Sequence, residues 1–290
     1  MRSTGGPALE TLVRRALERH PTCGVASAVL QISPTAPAAL QQIRDLMAPV
    51  DDRFECRVAL LVALPHPTAA RSAHLGDGAG DIATVHAGAL VATVAGSLNG
   101  AGNHLDPMRF WRHCVTVGLL ARLVARDRAA DESSSFAAGF LYPIGRLFLD
   151  RLCDGQFGDV LERCHGRGFE VNEAEHLVIG VSEAELGAML ALRWGFPAWL
   201  VDAIGYPRTP KSVPFQTVST IGSVFPARLA AAILGIGTEV EEASPVPAHL
   251  RWLADPVLLS VGALGGTQWL TAHVDGILAS AFLGERGSAG

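Results

Sequence analysis

The chain has 290 residues, of which 49% are hydrophobic, so it is long and apolar enough to fold as one large domain or two unequal ones. Its 23 basic residues include a single lysine, Lys211, and stand against 28 acidic residues, which gives a net charge of -5. Nucleic-acid binding depends on clustered positive charge, so this composition argues against a nucleic-acid partner.

The location of the protein is predicted from its apolar runs, its first residues and its cysteines. The apolar runs over residues 58–64 and 229–236 are too short to cross a bilayer, and residues 1–7 lack the apolar core of a secretory signal. The five cysteines form no C-x-x-C pair and are interpreted as reduced, mostly buried thiols. We therefore expect a cytoplasmic protein with no membrane insertion, no disulfide framework and no cysteine-ligated zinc.

The first third of the chain is predicted to be mostly helical. An apolar stripe with the spacing of an amphipathic helix starts at Leu9, and similar patterns follow it. A strand is the alternative for residues 53–64, and the Pro- and Gly-rich residues 66–80 are predicted to form a loop. The predicted helices cover residues 9–17, 24–32, 36–48, 53–64 and 82–97.

Helix boundaries are clearer in the rest of the chain. Asp106 and Pro107 fit the N-cap and the first position of a long helix over residues 108–126. No segment shows the alternation that is typical of a strand, so the predicted fold is all-α. Further helices are predicted over residues 132–153, 157–165, 198–204, 215–234, 249–253, 257–264 and 268–282, with an acidic loop at 239–242.

Two segments fit the capping-box pattern, in which a short polar residue is followed three positions later by Glu. They are Asn172-x-x-Glu175 and Ser182-x-x-Glu185. The second box is expected to start a helix that Gly195 ends.

Three blocks in the middle of the chain form an ordered series. They read F-W-R-H-C at residues 110–114, A-G-F-L-Y-P-I-G-R-L at 138–147, and S-E-A-E-L-G at 182–187 ahead of R-W-G-F-P at 193–197. This series resembles the HD-related output domain, HDOD, over roughly residues 9–282 and most strongly over 109–207. In that family the second block usually reads A-G-L-L-H-D-I-G-R-L, and the third often contains D-H-A-E-V-G.

The resemblance implies an all-helical fold in two parts. The tails at residues 1–8 and 284–290 are expected to be disordered because they offer no apolar residues to dock. Between them, the resemblance implies a small N-terminal helical bundle over residues 9–104 that packs on a larger HD-like helical bundle over residues 105–283. It also implies a part in bacterial signal transduction, because HDOD domains are similar to HD phosphohydrolases but usually lack demonstrated catalysis.

The same resemblance indicates where metal ligands would lie. HD enzymes gather an early His, an adjacent His-Asp pair and a later Asp around one or two metal ions that activate water. Here His113 keeps the first position, but the pair is Tyr142 and Pro143: a phenol is a poor ligand at neutral pH, and proline has no side-chain donor atom. Pro143 is also expected to kink its helix. We therefore predict that the metal site and catalysis are lost and that no cofactor is bound.

Four residues could line what remains of that site: His113, Tyr142, Arg146 and Ser182. For His113 a hydrogen-bonded core histidine is the favoured interpretation, and for Ser182 a helix N-cap. Tyr142 and Arg146 lie four residues apart and could line a pocket for an anion or a nucleotide. The favoured interpretation of that pair is nevertheless a surface arginine packed over a tyrosine ring.

The remaining aromatic residues and histidines are assigned no ligand. Metal binding by His66, His74 and His86 is disfavoured because their spacing is irregular. Core packing is the expected role of the tryptophans, which are Trp111, Trp194, Trp199, Trp252 and Trp269.

Three functions follow from these observations. The first is a non-catalytic regulatory module that binds a signalling protein, with the groove between the two bundles as the interaction surface. The second is a sensor that binds a nucleotide or cyclic dinucleotide in the vacated pocket. The third is a residual metal-dependent phosphodiesterase with recruited ligands, for example His104 or Asp106 beside His113. The missing ligand pair favours the first.

Overall fold

The computed structural model describes residues 7–19, 24–32, 38–47, 86, 89–91, 93–95, 98, 103–153, 155–205, 218–243 and 246–282. Within these ranges the chain forms helices and no strand, which confirms the predicted all-α fold. The predictions for residues 1–6, 53–64, 66–80 and 284–290 lie outside the described residues. None of the described helices is long and apolar enough to cross a bilayer.

The helices are numbered in chain order. They are α1 (Pro7–Arg19), α2 (Gly24–Gln31), α3 (Ala39–Met47), α4 (Pro107–Asp127), α5 (Glu132–Leu141), α6 (Ile144–Leu152), α7 (Gln156–Arg167), α8 (Val171–Val178), α9 (Glu183–Arg193), α10 (Ala198–Gly205), α11 (Val218–Ile233), α12 (Glu239–Ala243), a 3-10 helix (Ala248–Leu253), α13 (Asp255–Ala263) and α14 (Gly266–Phe282). Residues 86, 89–91 and 93–95 are also helical, in agreement with the helix predicted over 82–97.

Helix α4 forms the centre of the larger bundle. The Asp106 side chain caps it by accepting a hydrogen bond from the backbone N–H of Arg109 at 2.8 Å, and Pro107 occupies the first turn, as predicted. The helix packs against α5, α11, α13 and α14, and it is buried almost continuously from residue 113 to residue 125. Polar side chains on this stretch must therefore find partners inside the protein.

The helix predicted over residues 132–153 is instead two helices, α5 and α6, with a break at Tyr142 and Pro143. The backbone N–H of Tyr142 still donates to the carbonyl of Ala138 at 3.0 Å. Pro143 has no N–H with which to continue the helix, and its φ and ψ angles are -92° and 13°. The proline thus ends the helix instead of kinking it. Arg146 consequently belongs to the first turn of a new helix and does not share one helical face with Tyr142.

Helix α6 lies very close to α9 because glycines meet at the contact. A Cβ atom added at Gly145 would lie 1.9 Å from the carbonyl oxygen of Glu183, and one added at Gly187 would lie 3.2 Å from the backbone nitrogen of Gly145. Only a residue without a side chain allows the two backbones to approach in this way. The contact fixes the start of α9 against the start of α6.

The N-terminal helices form the smaller bundle and pack on the larger one. Helix α1 contacts α6 and α9, and Arg193 at the end of α9 pairs with Glu10 of α1 at 3.4 Å. The Ser27 hydroxyl of α2 donates to the carbonyl of Gly195 at 3.0 Å. Apolar side chains of α1 belong to the main core; they are Leu9, Leu12, Val13 and Ala16. A separate apolar cluster lies among the N-terminal helices themselves and consists of Val29, Ile43, Met47 and Ala89.

Several predicted boundaries require correction. Helix α1 begins at Pro7, because proline suits the first helical position, so residues 7 and 8 are not part of a disordered tail. Helix α7 continues through Gly166 and ends at Gly168, which has a φ of 67°. The capping box predicted from Asn172 is not formed, since α8 begins one residue earlier and its N-cap makes no side-chain hydrogen bond.

Two further expectations were wrong. Residues 239–242 form part of helix α12 and not an acidic loop. Trp252 has 65% of its surface exposed, whereas Trp111 and Trp194 are buried and Trp199 and Trp269 are half-buried as core residues. Trp252 lies in a 3-10 helix that has no buried residue, so the burial expected of a regular amphipathic helix does not apply to it.

We expect Gly145→Ala to destabilise the protein by about 3 kcal/mol, because the new methyl group would overlap backbone atoms of α9 that cannot move independently. Chemical denaturation followed by circular dichroism measures the change. Gly166→Ala is the matched control: its added methyl group meets nothing within 4 Å, so we expect a neutral or slightly stabilising effect. Equal stability of the two variants would contradict the close packing of α6 on α9.

Candidate functional site

His113 of α4 is a fully buried histidine with both ring nitrogens engaged. Its Nδ1 lies 2.8 Å from the carbonyl oxygen of Ile236, and its Nε2 is hydrogen-bonded to the hydroxyl of Tyr142. A carbonyl can only accept, so Nδ1 carries the proton and Nε2 accepts the hydrogen bond from Tyr142. Burial lowers the pKa of His113 and raises that of Tyr142, so both groups are neutral. The prediction of a hydrogen-bonded core histidine is confirmed.

Arg146 lies beside this pair and is also fully buried, which makes the favoured prediction of a surface arginine wrong. Its Nε donates to Glu183 at 2.6 Å, and its Nη2 donates to Glu183 at 3.3 Å and to Glu241 at 3.1 Å. Its Nη1 donates to Glu241 at 3.0 Å and to the Thr238 hydroxyl at 2.8 Å. All five N–H groups of the guanidinium therefore have partners.

The positive charge of Arg146 is stabilised by short-range interactions with two carboxylates. Burial disfavours the charged guanidinium, but Glu183 and Glu241 outweigh that penalty and raise the pKa of Arg146 above its ordinary value. Glu183 is fully buried and the Glu241 side chain is 8% exposed. Glu241 Oε1 also lies 3.9 Å from His113 Nε2. Glu241 therefore connects Arg146 with the hydrogen-bonded pair of His113 and Tyr142, and the residues form one cluster.

Ser182 places Glu183 by capping helix α9. The Ser182 hydroxyl accepts from the backbone N–H of Glu185 at 3.3 Å, and the Glu185 carboxylate accepts from the backbone N–H of Ser182 at 2.9 Å. This is the predicted capping box, and it makes Glu183 the first residue of α9. The backbone N–H of Glu183 donates to the buried carboxylate of Glu175 at 2.9 Å. Glu175 therefore stabilises the start of α9, whereas the sequence had placed it in a capping box with Asn172.

Glu241 is placed in the same way at the start of α12. The Thr238 hydroxyl and backbone N–H donate to Glu241 Oε2 at 2.7 and 3.0 Å, and the hydroxyl accepts from the backbone N–H of Val240 at 3.3 Å. Thr238 and Glu241 were not predicted from the sequence, although Thr238-x-x-Glu241 fits the capping-box pattern. Arg109 of α4 holds the same segment by donating to the carbonyl of Gly237 at 2.8 Å.

Another buried carboxylate, that of Asp150 on α6, was also missed. It accepts hydrogen bonds from three consecutive backbone N–H groups, those of Asn103, His104 and Leu105, at 2.8, 2.8 and 3.3 Å. It thereby fixes the segment that enters α4 and, through it, the position of His113. No sequence pattern relates Asp150 to these residues.

The geometry limits the chemistry that these residues can perform. His113, Tyr142 and Arg146 come together, whereas Ser182 acts on the backbone of α9. The three side chains that meet have no exposed surface, and they use their polar atoms on one another or on neighbouring residues. In the part of the chain that the structure describes, no three His, Cys, Asp or Glu side chains are grouped so that they could hold a metal ion.

The two residues suggested as recruited ligands have other roles. His104 Nδ1 lies 3.1 Å from Asp150 Oδ1, and Asp106 caps α4. Neither His104 nor Asp106 is therefore placed to act as a metal ligand together with His113.

Comparison with known proteins gives one family match over part of the chain and several structures with the same fold. The model of the HDOD domain matches residues 81–210. The comparison with curated proteins gives no match.

Three solved structures share the fold at low sequence identity. An HDOD domain protein with unknown function from Geobacter sulfurreducens is 20% identical, with 94% of this chain and 97% of that chain covered and a TM-score of 0.66. A candidate phosphohydrolase from Shewanella amazonensis SB2B is 21% identical, with coverages of 94% and 97% and a TM-score of 0.65. A candidate signal transduction protein from Marinobacter aquaeolei VT8 is 19% identical, with coverages of 94% and 64% and a TM-score of 0.62.

We expect Arg146→Met to destabilise the fold by about 3–5 kcal/mol, because it removes the buried guanidinium that pairs with both Glu183 and Glu241. Denaturant unfolding measures the loss, and Arg251→Met, at an exposed arginine, serves as the control. Replacing both glutamates by Gln in the Arg146→Met background should recover part of the stability. An Arg146→Met variant as stable as the control would contradict the role of this cluster.

Proposed function

Because residues 81–210 of this chain match the HDOD domain, we propose that the protein is a signalling regulator that binds a partner protein and does not hydrolyse phosphoesters. The observation that carries the proposal is the sealed cluster of His113, Tyr142, Arg146, Glu183 and Glu241. Two of its residues, His113 and Tyr142, stand at positions where the family resemblance implies metal ligands.

The donor set supports the loss of metal chemistry. A catalytic metal needs several lone-pair donors and an open position for water or substrate. Here His113 Nε2 already accepts the Tyr142 hydroxyl, and both carboxylates direct their oxygens at Arg146. A guanidinium supplies positive charge but has no open coordination position, so it cannot activate a water molecule.

The same cluster bears on the competing hypothesis of a nucleotide sensor in the vacated pocket. A ligand phosphate would need the Arg146 guanidinium, whose five N–H groups are all bonded within the protein. Binding there would require Glu183 or Glu241 to be displaced, which would separate a buried carboxylate from the guanidinium that it pairs with. No observation favours this hypothesis for that pocket.

We expect purified protein that has been stripped and equilibrated with Mn²⁺, Fe²⁺, Ni²⁺ or Mg²⁺ to retain no stoichiometric metal and to leave bis(p-nitrophenyl) phosphate intact. Elemental analysis and an absorbance assay give the two readouts. His113→Gln is the control, since an amide can keep a hydrogen bond at this position but makes a poor metal ligand. The proposal would be overturned if the wild-type protein retained about one ion per chain or hydrolysed the substrate, and if the His113→Gln variant lost that property.

We place the partner surface along the seam between the N-terminal helices and the larger bundle. Leu192 of α9 is 56% exposed beside Arg193, which pairs with Glu10 of α1, and beside the Gly195 carbonyl, which accepts from α2. An exposed leucine at such a junction is suited to an apolar contact with another protein.

Capture of binding proteins by the immobilised chain tests this surface. We expect a specific partner to be retained by wild type and by Leu259→Glu but lost with Leu192→Glu. The two leucines make a matched pair, because both are exposed on helices and a charge at either position leaves the core intact. Retention by Leu192→Glu together with loss in Leu259→Glu would move the surface to α13 and refute the seam.

A further inference from the structure

A cavity of about 410 Å³ that is open to solvent on one side lies between α1, the end of α6 and the start of α7. Its volume falls in the range of small-molecule sites, about 300–1,000 Å³. It lies on the seam between the two bundles and is separate from the cluster around Arg146. The residues that line it are Ala8, Thr11, Leu12, Arg15, Leu152, Cys153, Gln156 and Ile179.

The walls combine an apolar surface with charge of one sign. Leu12, Leu152 and Ile179 come from three different helical segments and supply the apolar part. Arg15 is half-buried and contributes the single charged side chain among the described lining residues, none of which is acidic. A cavity of this composition favours a ligand with an apolar body and one negative group.

The surroundings of Arg15 are also basic. Arg19 lies one helical turn further along α1, and its Nη1 donates to the backbone carbonyl of Arg151 at 3.5 Å. Arg151 immediately precedes the lining residue Leu152, and burial lowers the pKa of its guanidinium. Arg19 and Arg151 thus lie near this part of the chain without lining the cavity, so Arg15 supplies the charge that would face a bound anion.

We propose that this cavity binds a small amphipathic anion. The apolar body of the ligand packs between Leu12, Leu152 and Ile179, and its carboxylate, sulfonate or phosphate faces Arg15. The inference goes beyond partner binding and does not rest on it. A ligand at this position contacts both bundles, so it stabilises one arrangement of α1 on α6.

Titration with 8-anilinonaphthalene-1-sulfonate tests the proposal, because this probe is an aromatic body with one sulfonate and fluoresces in apolar surroundings. We expect saturable binding of one probe per chain. Arg15→Gln should weaken binding by about tenfold, through loss of the charged contact. Ala8→Trp should abolish it, because the indole would fill the cavity from the exposed start of α1.

Arg14→Gln is the matched control, since Arg14 is the neighbouring arginine and its side chain is exposed on another face of α1. We expect its affinity to stay within about twofold of wild type, because an exposed and screened charge contributes little. Thermal melting confirms that each variant is folded. The proposal is overturned by equal losses in Arg14→Gln and Arg15→Gln, by stoichiometric binding that survives Ala8→Trp, or by the absence of saturable binding to wild type.

Discussion

The ion pairs of Arg146 hold the larger bundle together. One guanidinium on α6 bonds to Glu183 at the start of α9 and to Glu241 of α12, elements that are far apart in sequence. Burying three charges is expensive, and it is tolerated only when geometry is good and every donor is used. Here every donor is used, so the relative positions of α6, α9 and α12 are tightly specified. The position of His113 depends on the same cluster, since Glu241 lies beside it.

The proposed function follows from what this cluster does with its polar atoms. A hydrolytic metal site needs donors that are available and a position for water. In this core the side chains of His113, Tyr142, Arg146, Glu183 and Glu241 bond to one another, so the all-helical architecture is kept while the polar groups are directed inward. Such a core provides a stable scaffold, and recognition is then left to the outer surfaces and to the seam between the bundles.

The features that could be predicted from the sequence are local ones. The cap formed by Asp106 and the box formed by Ser182 depend on residues within one turn, so the pattern alone identifies them. The partners of Arg146 could not be found in this way, because Glu241 lies 95 positions away and residues 239–242 read as a charged loop. Asp150 was missed for the same reason: its partners lie 45 to 47 positions earlier in the chain. Tertiary pairing of this kind leaves no periodic pattern in one sequence.

Helix α9 has contacts of very different character at its two ends. It begins at Glu183 in the buried ion cluster and ends next to the Gly195 carbonyl, which accepts from Ser27 of α2. At 1.5 Å per residue its 11 residues span about 16 Å. One short helix therefore joins the surface on which the N-terminal helices pack to the buried charges of the interior, and its length sets the distance between those two regions.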